Sequence, residues 1–405
     1  MISEKVTFQN RLGHMLSGVI DRPAGKLPPH WVLFAHCFTC SSDVKAARRI
    51  SHGLALRGFG VLRFDFTGLG ESEGAFAETQ FSTNLHDLED AAAFMGETYR
   101  RPSVLVGHSL GGSAALLAAS RMEDVRAVAT LGAPSDPAHV QHLFEHRTAE
   151  IEAEGEAEVT IAGRPFRIKK EFIEDLEKHP MKTVVGQLRK ALLILHSPRD
   201  EVVGIDNAAR IFDYAKHPKS FISLDDADHL LTRDEDSRYA AEVLTAWVSR
   251  FLDFPKDQGA RGDEGEVSAW IGQDRYAVQL KSGDHTWASD EPRDAGGLDT
   301  GPAPYDLLLG ALGSCTAITL RMYADRKKWN LEQAEIILTH EKRHAEDCED
   351  CDDDRKRRVD FISRRIHLTG DLSEEEKSRL LQIADRCPVH RTLTGGSIQV
   401  QTELF

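Results

Sequence analysis

The sequence predicts two domains, an α/β domain with a mostly parallel sheet and helices on both faces, and a smaller α+β domain after it. Over residues 6–254, short apolar runs alternate with helical patterns, which is typical of β-α-β units. Residues 254–267 combine three glycines, a proline and dense charge, as linkers do. Beyond them the pattern changes to alternating strands around one long apolar helix. We therefore expect domains at 1–255 and 266–405, joined by a linker at 256–265.

The first domain contains six predicted strands and one long insertion. The strands are residues 31–35, 61–64, 103–106, 127–131, 191–195 and 221–224, with helical patterns at 82–99 and 111–121 between them. Residues 135–189 interrupt this alternation with a charged stretch that includes a predicted hairpin. An insertion of this length between two sheet strands usually forms a cap over the site.

The second domain has a different order of elements. We predict a strand pair in 267–280, a long helix at 304–328, strands at 335–342 and 362–368, a helix at 373–386 and a final strand at 397–404.

Charge and hydropathy exclude some partners. The chain has 50 basic and 65 acidic side chains, a net charge of −15, which repels nucleic acid and anionic membranes. The first six residues lack the basic and apolar segments of a secretory signal, and no apolar run approaches the ~20 residues of a membrane span. We expect a cytoplasmic protein without membrane insertion.

A serine motif follows one of the predicted strands. Gly107-His108-Ser109-Leu110-Gly111 comes after the apolar run 104–106 and before a helix of small residues. A strand, a glycine-flanked turn and a helix are the context of a nucleophile elbow, in which the serine is exposed at the edge of the sheet. The motif predicts Ser109 as a nucleophile.

Two further residues complete a catalytic triad. Asp200 and His229 each follow a predicted strand, where an α/β sheet collects its functional groups. His229 would take the proton from Ser109, and Asp200 would hold the imidazole tautomer. Asp225 and Asp228 are less favoured alternatives for the acid. The motif does not separate ester hydrolysis from thioester or peptide cleavage or acyl transfer.

Residues 1–255 resemble α/β-hydrolases of the esterase type. Besides the triad, Asp-Phe-Thr-Gly-Leu-Gly-Glu-Ser at 65–72 matches the loop after the fourth strand of that fold, and His36-Cys37-Phe38 matches its oxyanion loop. The resemblance implies a hydrolase that requires no cofactor, with the backbone N–H groups of Phe38 and Leu110 as oxyanion donors. Cys37 stands where the family has glycine.

Cys37 and Cys40 form a Cys-x-x-Cys motif on that loop. One interpretation is a redox switch beside the oxyanion donors. We favour two small buried thiols, because structural disulfides are rare in a reducing compartment.

A second pair of cysteines indicates peroxide chemistry. Cys315 lies in a helix of apolar and small residues, and Cys387 follows another helix. One thiolate can attack the O–O bond and become a sulfenic acid, which the second thiol converts to a disulfide.

With their flanking strands, these motifs make residues 265–405 resemble the OsmC/Ohr family of organic hydroperoxide reductases. The resemblance implies Cys315 as the peroxidatic cysteine, Cys387 as the resolving one, a thiol reductant and an intertwined homodimer. It also implies a supporting arginine and glutamate. Arg293 is the candidate arginine, and Asp306 is the acid nearest to the place where the glutamate is missing.

Taken together, these features predict a carboxylesterase for short-to-medium acyl esters fused to a thiol-dependent organic hydroperoxide reductase. The alternative is an active hydrolase whose second domain serves only for dimerisation or ligand binding. The missing glutamate favours this alternative somewhat.

A further cluster lies outside both resemblances. His340, His344, Cys348 and Cys351 are the ligand types of a tetrahedral structural zinc site. The alternative, which we favour, is a solvated hairpin tip among acidic residues.

Overall fold

The structure is a computed structural model that describes residues 1–24, 27–161, 163–253, 265–272, 274–344, 358–396 and 398–404. It divides into two compact units. One comprises Met1–Asp274 with Lys281–His285, and the other comprises Arg275–Leu280 with Thr286–Phe405.

The first unit contains an eight-stranded sheet. Its strands are β1 (Ile2–Gln9), β2 (Met15–Arg22), β3 (Trp31–Ala35), β4 (Gly60–Phe64), β5 (Val104–His108), β6 (Ala127–Leu131), β9 (Ala191–His196) and β10 (Lys219–Ser223). The order across the sheet is β1-β2-β4-β3-β5-β6-β9-β10. β1, β2 and β4 pair antiparallel, and the remaining pairs are parallel, as predicted for an α/β fold.

Helices cover both faces of this sheet. They are α1 (Lys45–Ala55), α2 (Phe81–Thr98), α3 (Leu110–Ala119), α7 (Asp206–Tyr214) and α8 (Asp234–Val248). Successive side chains of a strand point to opposite faces. In β3, Leu33 packs with α2 and α3, whereas Val32 and Phe34 pack with α1 and α8. The fully apolar strands are therefore buried on both sides, as parallel sheets require.

The predicted cap is the segment between β6 and β9. It contains the helices α4 (Thr148–Glu154), α5 (Lys170–Leu176) and α6 (Met181–Gly186), and the hairpin of β7 (Glu156–Ile161) and β8 (Arg164–Lys169). A 3-10 segment, Pro137–Arg147, precedes them. Its buried residues join the same apolar cluster as α2 and α3, so the cap is packed onto the sheet domain.

The C-terminal part is α+β, as predicted. Its elements are β11 (Ser268–Ile271), β12 (Val278–Ser282), β13 (His285–Ser289), α9 (Pro304–Lys327), β14 (Asn330–His344), β15 (Arg358–Asp371), α10 (Glu374–Ala384) and α11 (Pro388–Thr394). β14 and β15 form a long antiparallel pair, α9 packs against β14, and α10 packs against α9. Leu320 of α9 and Leu380 of α10 are fully buried in this small core.

One sequence prediction is wrong here, and some elements of the structure were not predicted. The final strand expected at 397–404 is wrong, because the described residues 398–404 belong to no strand. A strand needs a hydrogen-bonded neighbour, and within the described part of the chain this segment has none. The short helix α11 and the strands β1 and β2 were not predicted.

One described helix, α9, is long and apolar enough to cross a membrane by length and composition alone. Only 22% of its apolar window is buried.

Candidate active site

Ser109 lies on a sharp turn between β5 and α3. Its φ of 56° is in the left-handed region that non-glycine residues rarely adopt. The neighbouring glycines permit this turn: a Cβ on Gly107 would lie 2.3 Å from the carbonyl oxygen of Gly111, and one on Gly111 would lie 2.2 Å from that of His36. The backbone strain is the kind that persists at functional sites, and here it presents the serine hydroxyl.

The structure brings the three predicted triad residues together. Nε2 of His229 lies 3.0 Å from Oγ of Ser109, and its Nδ1 lies 2.8 Å from Oδ2 of Asp200. Both distances are within hydrogen-bonding range. Of the three candidate acids, it is therefore Asp200 that contacts the imidazole. Asp225 instead accepts from Ser223, and Asp228 from Thr232.

The carboxylate of Asp200 is held in its ionised form. Burial by itself raises its pKa, but hydrogen bonds from His229 and from the N–H groups of Val203 and Val202 outweigh burial, and the pKa is lowered. Those two backbone bonds are 2.8 and 2.9 Å long and end on Oδ1, which leaves Oδ2 for the imidazole. Asp200 is thus fixed as an acceptor that stabilises an imidazolium at His229.

Three buried histidines surround the triad. His36, His108 and His196 are each at most 3% exposed, and burial lowers the pKa of all three. His108 donates from Nε2 to the carbonyl oxygen of His229 at 2.7 Å, and His196 donates to that of Val203 at 2.7 Å. These neutral rings hold the two loops that carry the catalytic base and acid.

The predicted oxyanion donors both border the catalytic serine. Leu110 is the first residue of α3, so its N–H has no acceptor within the helix. Phe38 lies on the loop after β3, and its ring stacks at 5.6 Å on Phe172 of the cap. Phe38, Leu110 and Ser109 line the same cavity.

Cys37 and Cys40 form a disulfide, with their Cα atoms 5.3 Å apart. The prediction of two free thiols is therefore wrong. The N–H of Cys40 donates to the carbonyl oxygen of Cys37 at 3.2 Å, and this turn brings the two residues within disulfide range. The disulfide thus closes the turn that carries Phe38.

The cavity at Ser109 has a volume of about 320 Å³. Its apolar walls come from the sheet edge and from the cap, and they include Leu110, Val140, Leu143, Ile161, Val202, Val203 and Leu230. Such a cavity, with few polar groups beside a nucleophile, is suited to an acyl chain.

The second predicted site contains two free thiols. Cys315 in α9 is half-buried, and Cys387 before α11 is fully buried. Sγ of Cys387 accepts from the N–H of His390 at 3.3 Å and lies 3.6 Å from Oγ1 of Thr316. Arg364 of β15 donates to the same hydroxyl at 3.1 Å. Sequence reasoning missed Thr316 and Arg364, although Thr316 directly follows Cys315.

The two residues suggested as peroxidatic support lie at the start of α9 and in a turn that precedes it. Asp306 accepts a hydrogen bond from the N–H of Ala303 at 3.0 Å and so caps the start of α9. Arg293 is exposed in the 3-10 turn Arg293–Ala295. Their proposed support of Cys315 stays a prediction.

The suggested zinc ligands are only partly within the described residues. Nε2 of His340 is hydrogen-bonded to Oδ1 of Asp360 at 2.9 Å, and its ring stacks on Tyr305 at 4.2 Å. Cys348 and Cys351 lie outside the described residues, and so does the side chain of His344. Among the residues that are described, no group of three or more His, Cys, Asp or Glu could hold a metal.

Comparison with protein families decides the class of the chain. The model of the alpha/beta hydrolase family matches residues 32–335, three quarters of the chain. This chain is an α/β hydrolase. The model of the OsmC-like proteins matches residues 297–403, so the hydrolase carries a C-terminal OsmC-like domain.

Among the relatives of this α/β hydrolase are an esterase domain and a thioesterase. The crystal structure of an esterase domain from a Rhodothermus marinus protein is 46% identical in sequence and has a TM-score of 0.53. The match covers 62% of this chain and all of the esterase domain. A mitochondrial palmitoyl-protein thioesterase of Mus musculus is 28% identical over 187 residues, which are 45% of this chain and 60% of the mouse protein. The structure of alpha/beta hydrolase domain-containing protein 10 from mouse is 22% identical in sequence and has a TM-score of 0.50. The match covers 62% of this chain and all of the mouse chain.

The buried His108 of this hydrolase predicts acid sensitivity. Its pKa is lowered from 6.5 to about 3, so the folded chain binds fewer protons than the unfolded chain between these values. Stability therefore falls as the pH falls through this window, by about 2 kcal/mol at pH 5. Urea unfolding at about pH 7.5 and about pH 5 measures this change. Between the two pH values, we expect the free energy of unfolding to fall by about 2 kcal/mol less in His108→Gln than in the wild type. An equal loss in both proteins would contradict a neutral His108.

Proposed function

We propose that the hydrolase domain is a serine carboxylesterase for short-to-medium acyl esters, and that the OsmC-like domain is a thiol-dependent organic hydroperoxide reductase. The observation that carries the first part is the unbroken chain of hydrogen bonds from Ser109 through His229 to Asp200 at one end of an apolar cavity.

The ester is cleaved in two steps. Ser109 Oγ attacks the acyl carbon while His229 Nε2 takes its proton, and the oxyanion is held by the N–H groups of Phe38 and Leu110. His229 then returns the proton to the leaving alcohol, and an acyl-enzyme remains. A water molecule, deprotonated by the same nitrogen, releases the acid and restores Ser109.

The cavity volume sets the expected acyl length. At about 30 Å³ for each water-sized group, 320 Å³ holds about ten methylene-sized groups. This favours medium chains over the sixteen-carbon palmitoyl group named for the mouse relative.

We therefore expect a peaked profile with nitrophenyl esters of increasing chain length. The value of kcat/KM rises about fourfold for each added methylene, because each buried CH₂ contributes about 0.8 kcal/mol, and it falls once the cavity is full. Steady-state hydrolysis of the series, with thioesters of the same acids beside it, measures the profile. A flat profile, or a maximum at palmitate, would contradict the proposal.

The peroxidase half of the proposal depends on Cys315 and Cys387. The Cys315 thiolate attacks the hydroperoxide R–O–OH, the O–O bond breaks, and the products are an alcohol and the Cys315 sulfenic acid. Cys387 then forms a disulfide with Cys315 and water leaves. An external thiol reductant restores both thiols. The presence of two free thiols in the OsmC-like domain supports this series of reaction steps.

We also propose a homodimer formed by the OsmC-like domain. Large apolar side chains are exposed on α9 and in the C-terminal segment, namely Ile318, Met322, Ile398, Val400 and Leu404. Ile398 and Val400 alternate as in a strand, and a second copy would provide the neighbouring strand that this segment lacks among the described residues. With a chain mass of 45.0 kDa, light scattering should give about 90 kDa for the full protein. A value near one chain mass would contradict the dimer.

The cytoplasmic location expected from the sequence stays a prediction. Its test is fractionation of cells that produce the full-length protein.

A further inference from the structure

The lining of the serine cavity carries one fixed positive charge, Arg164, and no carboxylate among the described residues. The described residues around it include Arg164 and three histidines, His139, His142 and the catalytic His229, and no aspartate or glutamate. A cavity for a neutral acyl chain needs no such group. An anion inside this cavity would meet positive charge and hydrogen-bond donors without a competing carboxylate.

Arg164 begins β8 in the cap hairpin and reaches the oxyanion loop. Its Nη2 donates to the carbonyl oxygen of Thr39, the residue after Phe38. Its guanidinium also lies 5.4 Å from the ring centre of Phe166. Arginine has five N–H donors, so the bond to Thr39 leaves others for a ligand. Among the described residues, no carboxylate lies within ion-pair distance of Arg164.

A second cleft shares Val202, His229 and Leu230 with the cavity, and its charged side chains are mostly negative. This open cleft is lined by Glu201, Asp226 and Asp228 against a single Arg199, which pairs with Asp226 at 3.0 Å. The leaving group, which His229 protonates, would then be directed toward this acidic cleft, because the cleft and the cavity share His229. An anionic group is repelled there, so it belongs on the acyl side, in the cavity with Arg164.

We propose that the preferred substrates are esters whose acyl chain ends in a carboxylate, that is, monoesters of dicarboxylic acids, and that Arg164 selects them. This inference rests on the proposed ester hydrolysis and specifies its substrate class. The carboxylate would accept hydrogen bonds from the guanidinium, while the methylene groups between it and the scissile bond lie against the apolar walls.

The test compares two nitrophenyl esters of one shape. One is the monoester of adipic acid, and the other is the neutral ester in which an isopropyl group replaces the carboxylate. We expect the wild type to prefer the anionic ester by about tenfold in kcat/KM, mainly through KM, since the pair is partly exposed to solvent. Added salt should reduce this preference.

Arg164→Gln should abolish the preference, whereas Arg167→Gln should keep it. Arg167 is three residues further along the same strand, so it points to the opposite face, where it pairs with Glu156 at 3.2 Å. Because Arg164 also holds Thr39, its loss can slow both esters equally. The ratio of the two rates is unaffected by such a general loss and is the quantity that decides.

Three results would overturn the inference. Rapid cleavage of the neutral ester without an anionic preference, or a preference that persists in Arg164→Gln, would remove Arg164 as the selecting residue while the esterase stands. Cleavage of neither ester would overturn the proposed ester hydrolysis and this inference together.

Discussion

Ser109→Ala is expected to lower kcat for nitrophenyl ester hydrolysis by about 10⁴- to 10⁶-fold. The variant lacks the hydroxyl that lies 3.0 Å from His229 Nε2, so no acyl-enzyme can form at this position. What remains is the contribution of the oxyanion donors and of substrate binding. KM should change little, because the hydroxyl is a small part of the cavity wall.

Ser120→Ala is the matched control. Ser120 is an exposed serine at the other end of α3, and its hydroxyl bonds only the carbonyl oxygen of Leu117 among the contacts described. Its activity should equal that of the wild type. If Ser109→Ala keeps more than a few per cent of the activity, another residue is the nucleophile and the triad assignment is wrong.

Cys315→Ser is expected to abolish the consumption of alkyl hydroperoxides with a dithiol reductant, while ester hydrolysis stays at the wild-type rate. A serine hydroxyl cannot form the sulfenic acid on which the cycle depends. The measurement is loss of hydroperoxide over time, run in parallel with nitrophenyl ester cleavage on the same sample.

Cys387→Ser separates the two thiols. It should still consume one equivalent of hydroperoxide per chain, because Cys315 is intact, but it should lack the disulfide-dependent turnover. Should wild-type Cys315 react with hydroperoxide no faster than free cysteine, the OsmC-like domain is a dimerisation or binding module instead of an enzyme.

The triad could be predicted because its position follows from the chain's local patterns. Ser109, Asp200 and His229 each follow an apolar strand, and parallel strands present their carboxyl ends at one edge of the sheet. The sequence therefore indicated that the three side chains meet, although it could not give the distances of 3.0 and 2.8 Å.

Other features depend on contacts that no local pattern describes. The disulfide of Cys37 and Cys40 depends on how the loop after β3 turns, and the sequence pattern alone had favoured two free thiols. The position of Arg164 in the cavity depends on how the cap hairpin packs against the oxyanion loop. The segment 398–404 has the alternation of a strand, but forming one requires a neighbour that the described chain does not provide.

The central claim is that Ser109 is the activated nucleophile of this α/β hydrolase, and labelling with a fluorophosphonate tests it most directly. The reagent forms a covalent bond only with a serine whose proton a neighbouring base removes. The full-length protein should gain one label per chain, located by peptide mass spectrometry at Ser109, and Ser109→Ala should gain none. A label on a different residue, or ester hydrolysis that continues unchanged after Ser109 is fully labelled, would contradict the claim.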